Sequence, residues 1–310
     1  MTACIVITTR NRKEELRTAL ASALQQSAHP EILVMDDGST DGTASLVRNE
    51  FPGVKLQRFE ESKGLIVRRN DAARLAEADI IFSIDDDAAF STSTIVAQTL
   101  VEFDSQRIGA IAIPYTDINR GPEIRQRAPE RDRIYITDTY IGTAHAVRRD
   151  VFLSVGGYRE QLVHQGEERD YCLRMLSRGW VVRLGCADPI HHFESPRRDF
   201  RRMDFYGRRN DILFAWHNVP MPYLALHLVA TTLNGLRAGL KTGRLFRMLQ
   251  GMGAGYRDCM RERRERRPVA AAIYHLSRRL KKGGPAALDS MEPLLPALQP
   301  PSACGATGLA

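Results

Sequence analysis

The stretch that most limits the fold is Ile80-Ile81-Phe82-Ser83-Ile84-Asp85-Asp86-Asp87, a short apolar run that stops abruptly in three carboxylates. A run bounded this way reads as a buried parallel strand, and its last residues emerge at the carboxyl edge of the sheet. In open α/β sheets ligands bind outside that edge. Three adjacent acids repel one another. A hard divalent cation such as Mg²⁺ or Mn²⁺, which takes oxygen ligands and often shares them with a phosphate, gives them a common purpose. A solvated acidic turn is the alternative, and the neighbouring segments decide between the two.

Those segments alternate. Residues 3–7 read as a strand ending in Thr8-Thr9-Arg10-Asn11-Arg12, and residues 13–26 carry Leu16, Leu20 and Leu24 on one helical face. A second strand, Glu31 to Met35, runs into Asp36-Asp37-Gly38-Ser39-Thr40-Asp41-Gly42, where Ser39, Thr40 and Asp41 suit turns and a helix cap. Val54 to Phe59 form a third strand, Lys63-Gly64 opens a helix, and Ile80 to Ile84 form the fourth strand. This spacing predicts a doubly wound, mostly parallel sheet flanked by helices. The polar clusters after strands one, two and four then meet at one edge, around one ligand. With neither G-x-G-x-x-G nor G-x-x-x-x-G-K-[ST] present, an ordinary dinucleotide domain or a phosphate-loop ATPase is not expected.

The series Val6-Ile7-Thr8-Thr9-Arg10-Asn11-Arg12, Met35-Asp36-Asp37-Gly38-Ser39-Thr40-Asp41, Lys63-Gly64 with Arg69-Asn70, and Ile84-Asp85-Asp86-Asp87 resembles the family 2 glycosyltransferases, inverting enzymes of the GT-A fold. The likeness continues through Gly156-Gly157-Tyr158 and Gly166-Glu167-Glu168-Arg169-Asp170, covering roughly residues 3–195. The resemblance implies a nucleotide-sugar donor and a divalent metal, Mn²⁺ or Mg²⁺. It implies that Thr8 and Arg10 border the base and ribose, that Asp36 meets the nucleobase and that Arg69 lies near the diphosphate. Asp85 and Asp87 match the ends of the D-x-D motif, Asp87 on the metal and Asp85 on ribose or a metal-bound water. Arg12 reads as a solvated helix start, while Asp37, Ser39 and Asp41 read as turn and cap residues.

Inverting transfer needs a base for the acceptor hydroxyl. The family pattern there is Glu-Asp, and here the pair is Glu167-Glu168, which puts Glu168 in the base position and leaves Glu167 as the alternative. Acids in the first turn of a helix also favour its macrodipole, which is the bland explanation for both. Tyr140-Ile141-Gly142-Thr143-Ala144 resembles the segment beneath the acceptor, with Gly142 allowing close backbone approach. After strand-like residues 187–190, His191 is expected to join the metal, with His192 the alternative. Residues 114–135 promise little regular structure and suit a loop over the site.

Charge divides the chain. Residues 1–195 carry 24 Lys and Arg against 29 Asp and Glu, whereas residues 196–282 carry 20 against 6. The expected organisation is a GT-A catalytic domain over 1–195, a basic helical region over 196–282 and a disordered tail over 283–310. The basic helices fit peripheral contact with a membrane surface through 211–282, since Pro220 to Leu236 is only marginally long enough to span one. Interleaved arginines and aromatics come without an RRM, KH or zinc signature, so nucleic acid is not an expected partner. The five cysteines show no paired spacing and the N-terminus no signal-peptide pattern, which predicts a cytoplasmic protein, peripheral on the inner face of the cell membrane. The expected activity is inverting, metal-dependent hexosyl or deoxyhexosyl transfer from a nucleotide-sugar to a glycan or lipid-linked acceptor. A catalytically silent nucleotide-sugar-binding module and a nucleotidyltransferase are the alternatives.

Overall fold

The computed structural model describes residues 1–194 and 199–301. The first part alternates as its periodicity requires: β1 (Ala3–Thr9), α1 (Lys13–Leu24), β2 (Glu31–Asp36), α2 (Thr43–Glu50), β3 (Lys55–Arg58), α3 (Leu65–Leu75) and β4 (Ile80–Asp85). β1 lies between β2 and β4 in parallel register, with Thr8 opposite both Met35 and Asp85, and β3 extends the sheet beyond β2. The loops after β1, β2 and β4 therefore open at one edge.

The next part carries β5 (Ala88–Phe90), α4 (Ile95–Val101), β6 (Ile108–Ala112), β7 (Tyr115–Asp117), β8 (Ile124–Arg125), β9 (Tyr135–Thr137), β10 (Ala144–Arg148), α5 (Arg149–Val155), α6 (Glu167–Leu176), β11 (Val181–Leu184) and β12 (Ile190–His192). β10 enters antiparallel between β4 and β6, and β11 runs parallel to β6. Alternate residues of the apolar strands bury on opposite faces. Ile5, Ile7, Phe82 and Ile84 pack with Leu16 and Leu20 of α1, whereas Val6, Met35 and Ile81 pack with Ile66 of α3, Phe152 of α5 and Tyr171 of α6. The result is a helix–sheet–helix sandwich. Phe82 is fully buried at its centre, where truncation to alanine costs roughly 3–5 kcal/mol.

Within the segment 114–135, expected as an irregular loop, the short β7 and β8 pair and join β5 and β12 in a second small sheet of order β5-β12-β7-β8, while most of the remaining residues are irregular. Gln126 fastens its return, donating to the carbonyls of Ile113 and Ala144 and accepting from the Ile141 N–H.

α7 (Phe200–Asn218), α8 (Tyr223–Thr242), α9 (Leu245–Arg261) and α10 (Ala271–Gly283) follow, then β13 (Ala286–Ala287) and α11 (Leu288–Met291). These helices do not stand apart from the sheet. Ile136, Leu173 and Val181 share a core with Phe214, Ile273, Leu276 and Leu280. The expectation of a disordered tail from 283 is corrected through residue 301. β13 pairs antiparallel with β9 at the end of the large sheet, Leu288, Met291 and Leu295 are buried, and the Trp180 indole donates to the Gln299 carbonyl. Apolar residues spaced among prolines have enough neighbours here to repay their ordering. The remaining tail, 302–310, lies outside the described residues.

Candidate active site

The carboxyl ends of β1, β2 and β4 open into a cleft of about 820 Å³ lined by Thr8, Arg10, Arg12, Asp37, Asp85 and Asp87. A second hollow of about 440 Å³ lies against it, lined by Arg69, Tyr140, Gly142, Glu167 and Glu168. Asp85 and His192 line both. With Leu65, His164 and Gln165, which also line both, they form the wall where the two spaces meet.

Each acid of the triplet has a different job. Asp86 turns inward, accepting from the Thr9 hydroxyl at 2.8 Å and from one arm of Arg12 at 2.7 Å. Burial pushes its carboxyl up to about 7, and the opposing pull of Arg12 and Thr9 does not offset it. Asp87 accepts the other arm of Arg12 at 2.8 Å and has His192 Nε2 at 3.4 Å from its second oxygen. Burial opposes its ionisation, but His192 and Arg12 outweigh burial and pull the pKa down to about 2. Asp85 is more open and accepts from Arg69 at 2.9 Å through one oxygen. Arg12, read from sequence as a solvated residue, is thus the clamp that orients two of the three acids.

Of the two histidines considered from sequence, His192 rather than His191 stands beside Asp87. β12 runs antiparallel to β5 with His192 opposite Ala88, directly after the triplet, and strand alternation turns His191 to the other side. His192 also stands beside Asp117 of β7, with Nδ1 4.0 Å from Asp117 Oδ2. Burial, the largest single influence, lowers the His192 pKa, but the Asp87 hydrogen bond together with the charges of Asp87, Asp85 and Asp117 outweighs it and raises the pKa. Ligand atoms of Asp85, Asp87 and His192 lie within 4.8 Å of one another. Two carboxylate oxygens and an imidazole at that spacing, on the rim of a polar cleft, fit one divalent ion with room left for phosphate oxygens.

The donor-side residues divide. Thr8 and Arg10 line the large cleft as expected. The Thr8 hydroxyl is buried without a hydrogen-bond partner among the described residues. Asp36 is completely buried at the end of β2; its Oδ1 accepts the Ser39 N–H at 2.9 Å and its Oδ2 has no partner among the described residues. Asp37 is no mere turn residue. It gathers the Ser62 hydroxyl, the Lys63 and Gly64 N–H groups and Arg68, fixing the start of α3 against the loop after β2.

Arg69, expected near the diphosphate, is buried and lines the second hollow, with its guanidinium on Asp85. One nitrogen donates to both Asp85 and the Gly142 carbonyl at 2.9 and 2.8 Å. The other lies 3.7 Å from Glu167 and 3.8 Å from Glu168. It ties the acid triplet to the Glu pair.

That pair opens α6 after Gly166, whose φ of +86° suits a residue without a Cβ. Glu167 is enclosed, with its Oε2 unpartnered among the described residues, and burial together with the Glu168 charge pushes its pKa up to about 8. Burial raises Glu168 as well, against the pull of Arg69. The Glu168 side chain keeps 19% exposure against 3% for Glu167, so Glu168 is the one open to the hollow. The Glu168 carboxylate and Arg69 lie so close over Gly142 that a Cβ there would overlap the carboxylate and stand 2.9 Å from Arg69 Nη1. Asp170 and Arg174 are structural: Asp170 is buried and binds Arg174, Arg159 and Asn218. The arginines at 197 and 198 lie outside the described residues, while Arg202 lines the cleft rim.

A mixed sheet with its ligand edge at β1, β2 and β4, two adjoining hollows and an acidic wall between them define the GT-A class of fold. Residues 4–155, just under half of the chain, match the family model described as glycosyl transferase family 2. The chain is 37% identical over 90 residues to the succinoglycan biosynthesis protein ExoU of Rhizobium meliloti, 28% of this chain and 26% of that protein. It is 27% identical over 192 residues to the glucosyl-dolichyl phosphate glucuronosyltransferase of Haloferax volcanii, 53% of this chain and 59% of that one. These matches thus span about a quarter and somewhat over half of the two relatives. Among solved structures, the mannosyltransferase PcManGT from Pyrobaculum calidifontis, in complex with GDP-Man and Mn²⁺, superposes with a TM-score of 0.55 at 18% identity, covering 84% of this chain and 86% of that chain.

Proposed function

We propose that the chain is an inverting, metal-dependent glycosyltransferase that moves a hexosyl or deoxyhexosyl group from a nucleotide-sugar to a hydroxyl of a lipid-linked or polysaccharide acceptor, working at the inner face of the cell membrane. The observation that carries this reading is the shared wall. Asp85 and His192 border both the large cleft and the hollow that contains Glu168, so a donor and an acceptor can meet across them.

Asp85, Asp87 and His192 are the residues that would hold the divalent ion. Such an ion, when bound, supplies Lewis-acid stabilisation of the negative charge that grows on a departing diphosphate. Arg12 keeps Asp87 ionised and aimed, and Arg69 holds Asp85 in the wall. Thr8 and Arg10 border the space for base and ribose. Glu168 accepts the proton of the acceptor hydroxyl as its oxygen bonds to the anomeric carbon and the bond to the diphosphate oxygen breaks. Its raised pKa brings the base nearer to neutral pH, where proton transfer is most effective.

Turnover assays with UDP-, GDP- and dTDP-sugars and Mn²⁺, with NMR of the product anomer, test this. Inversion that is lost in Glu168→Gln supports it; retention, or full activity in Glu168→Gln, contradicts it. Donor binding without transfer to any acceptor would favour a silent binding module.

A further inference from the structure

A third hollow, of about 610 Å³, lies between α6, α7, α8 and α10 and belongs to neither space described above. Its charged lining is Arg169, Arg208, Arg278 and Lys281 against Asp211. Asp211 is engaged by Arg208 at 3.0 Å and by Arg169 at 4.0 Å. Arg278 and Lys281, both exposed, have no ion pair among the described residues. A further acid that acts on these cations, Asp138, is itself held protonated more readily by burial, with Lys281 and Arg169 acting against that shift. The cations crowd one another. His227, which also faces the hollow, is pushed down to about 4 by burial and by the positive charges of Arg169, Arg278 and Lys281. Uncompensated positive potential in a concave site is the field that collects an anion.

Two placements say which anion. Arg169 directly follows Glu168 on α6 and lines both this hollow and the acceptor hollow, so the positive site adjoins the place of transfer. On the other side its rim is Leu226 of α8, 72% exposed. Leu226 starts a stripe with Val229, Leu233 and Leu240, all exposed, which falls within roughly 60° on a 100°-per-residue helical wheel. The opposite face of α8 carries Gly235 and Gly239, packed closely on Met252 and Leu245 of α9, so the stripe points away from the bundle. α8 carries Arg237 and Lys241 and no acid. No helix among the described residues is long and apolar enough to cross a membrane. A basic helix with one apolar stripe suits the interface plane of a bilayer.

We propose that this hollow is a phosphate subsite for a lipid-borne acceptor: Arg169, Arg278 and Lys281 take the phosphate that links glycan to lipid, while the α8 stripe lies in the surface of the membrane that carries it. The inference rests on the transferase reading in its choice of a lipid-linked acceptor. Arginine and lysine suit the phosphate because they supply charge-assisted donors without needing a fixed proton state.

The test is co-sedimentation of the full chain with phosphatidylcholine vesicles, alone or containing a polyprenyl phosphate, together with calorimetry of inorganic phosphate. The wild type is expected to bind the phosphate-bearing vesicles far better than the neutral ones. The double substitution Arg278→Gln with Lys281→Gln should weaken that binding about thirtyfold, roughly fivefold for each charge near the surface. Leu226→Ser with Val229→Ser should abolish vesicle binding and leave calorimetric phosphate binding intact. Equal binding to both vesicles, or no effect of either double variant, overturns the subsite. Free phosphate bound as tightly as the lipid-borne form, independent of the stripe, overturns the membrane half. Hydrolysis of nucleotide-sugar with Mn²⁺ is read on the same samples: its absence in the wild type counts against the transferase reading, whereas intact hydrolysis with vesicle binding unmoved by the variants counts against this subsite alone. Both sets of substituted side chains are exposed, and an unchanged melting temperature keeps folding out of the comparison.

Discussion

Glu167 offers a stability measurement that reads the site without any substrate. Its carboxyl is enclosed beside Glu168, and its pKa rises from the ordinary 4.5 to about 8. A folded-state pKa above the unfolded value means that the folded protein prefers the protonated acid. The stability this contributes is complete below about pH 4.5 and is lost as pH climbs towards about 8. At about 1.36 kcal/mol per unit, the loss reaches roughly 3 kcal/mol by neutral pH and at most about 5 kcal/mol above pH 8. Glu167→Gln keeps the shape of the protonated acid and removes the titration. Its melting temperature should match the wild type at about pH 4.5 and exceed it by several degrees at about pH 8.5, given roughly 2 °C or more per kcal/mol for a chain of this size. Scanning calorimetry over that range is the assay. A variant advantage that does not grow with pH, or a variant less stable at the alkaline end, refutes the burial-driven shift. The same pair separates the roles: Glu167→Gln should retain transfer that Glu168→Gln loses.

Three further perturbations probe the packing behind the site. Gly142→Ala places a Cβ against the Glu168 carboxylate and Arg69, and a displacement near 1 Å should lower kcat about a hundredfold with little change in donor affinity; unchanged kcat would falsify the tight approach. Arg12→Ala strips hydrogen bonds from Asp86 and Asp87 and should cost roughly 1–3 kcal/mol in urea unfolding, with weaker metal binding alongside; wild-type stability would mean the clamp is idle. Deleting residues 285–301 removes the buried Leu288, Met291 and Leu295, each contributing about 1.5–3 kcal/mol of burial before ordering costs, so the melting temperature should fall clearly; an unmoved transition would return that stretch to the status of a loose tail.

The parallel sheet was legible because a strand buried on both faces needs a nearly continuous apolar run, and Ala3 to Ile7 and, but for Ser83, Ile80 to Ile84 have one. Loops that follow such strands share an edge by topology alone, which is why Thr8, Arg10, Asp85 and Asp87 can be placed together from the sequence. What the sequence leaves open depends on non-local register. His192 rather than His191 meets Asp87 because β12 pairs with β5 one particular way, and a slip of one residue would reverse the two. Arg69 sits on α3 where sequence places a cation, but the direction of its side chain follows from how α3 packs on β1 and beneath Gly142. Arg12 reaches residues 74 and 75 positions away. The ordered tail likewise depends on partners far along the chain, Arg107 and Trp180 among them. A signal for Arg12 did exist: a basic residue in the loop after β1, facing an acid triplet that needs partial neutralisation.

Asp85, Asp87 and His192 are proposed to anchor a cation and a diphosphate at the wall between donor and acceptor. Isothermal titration of UDP and GDP into the wild type and Asp87→Asn, each with Mn²⁺ and with EDTA, tests it most directly. For the nucleotide that binds, Mn²⁺ should tighten wild-type affinity at least about tenfold, or roughly 1.4 kcal/mol, and Asp87→Asn should lose that gain. Equal affinity in Mn²⁺ and EDTA, or a metal effect that survives Asp87→Asn, would contradict it.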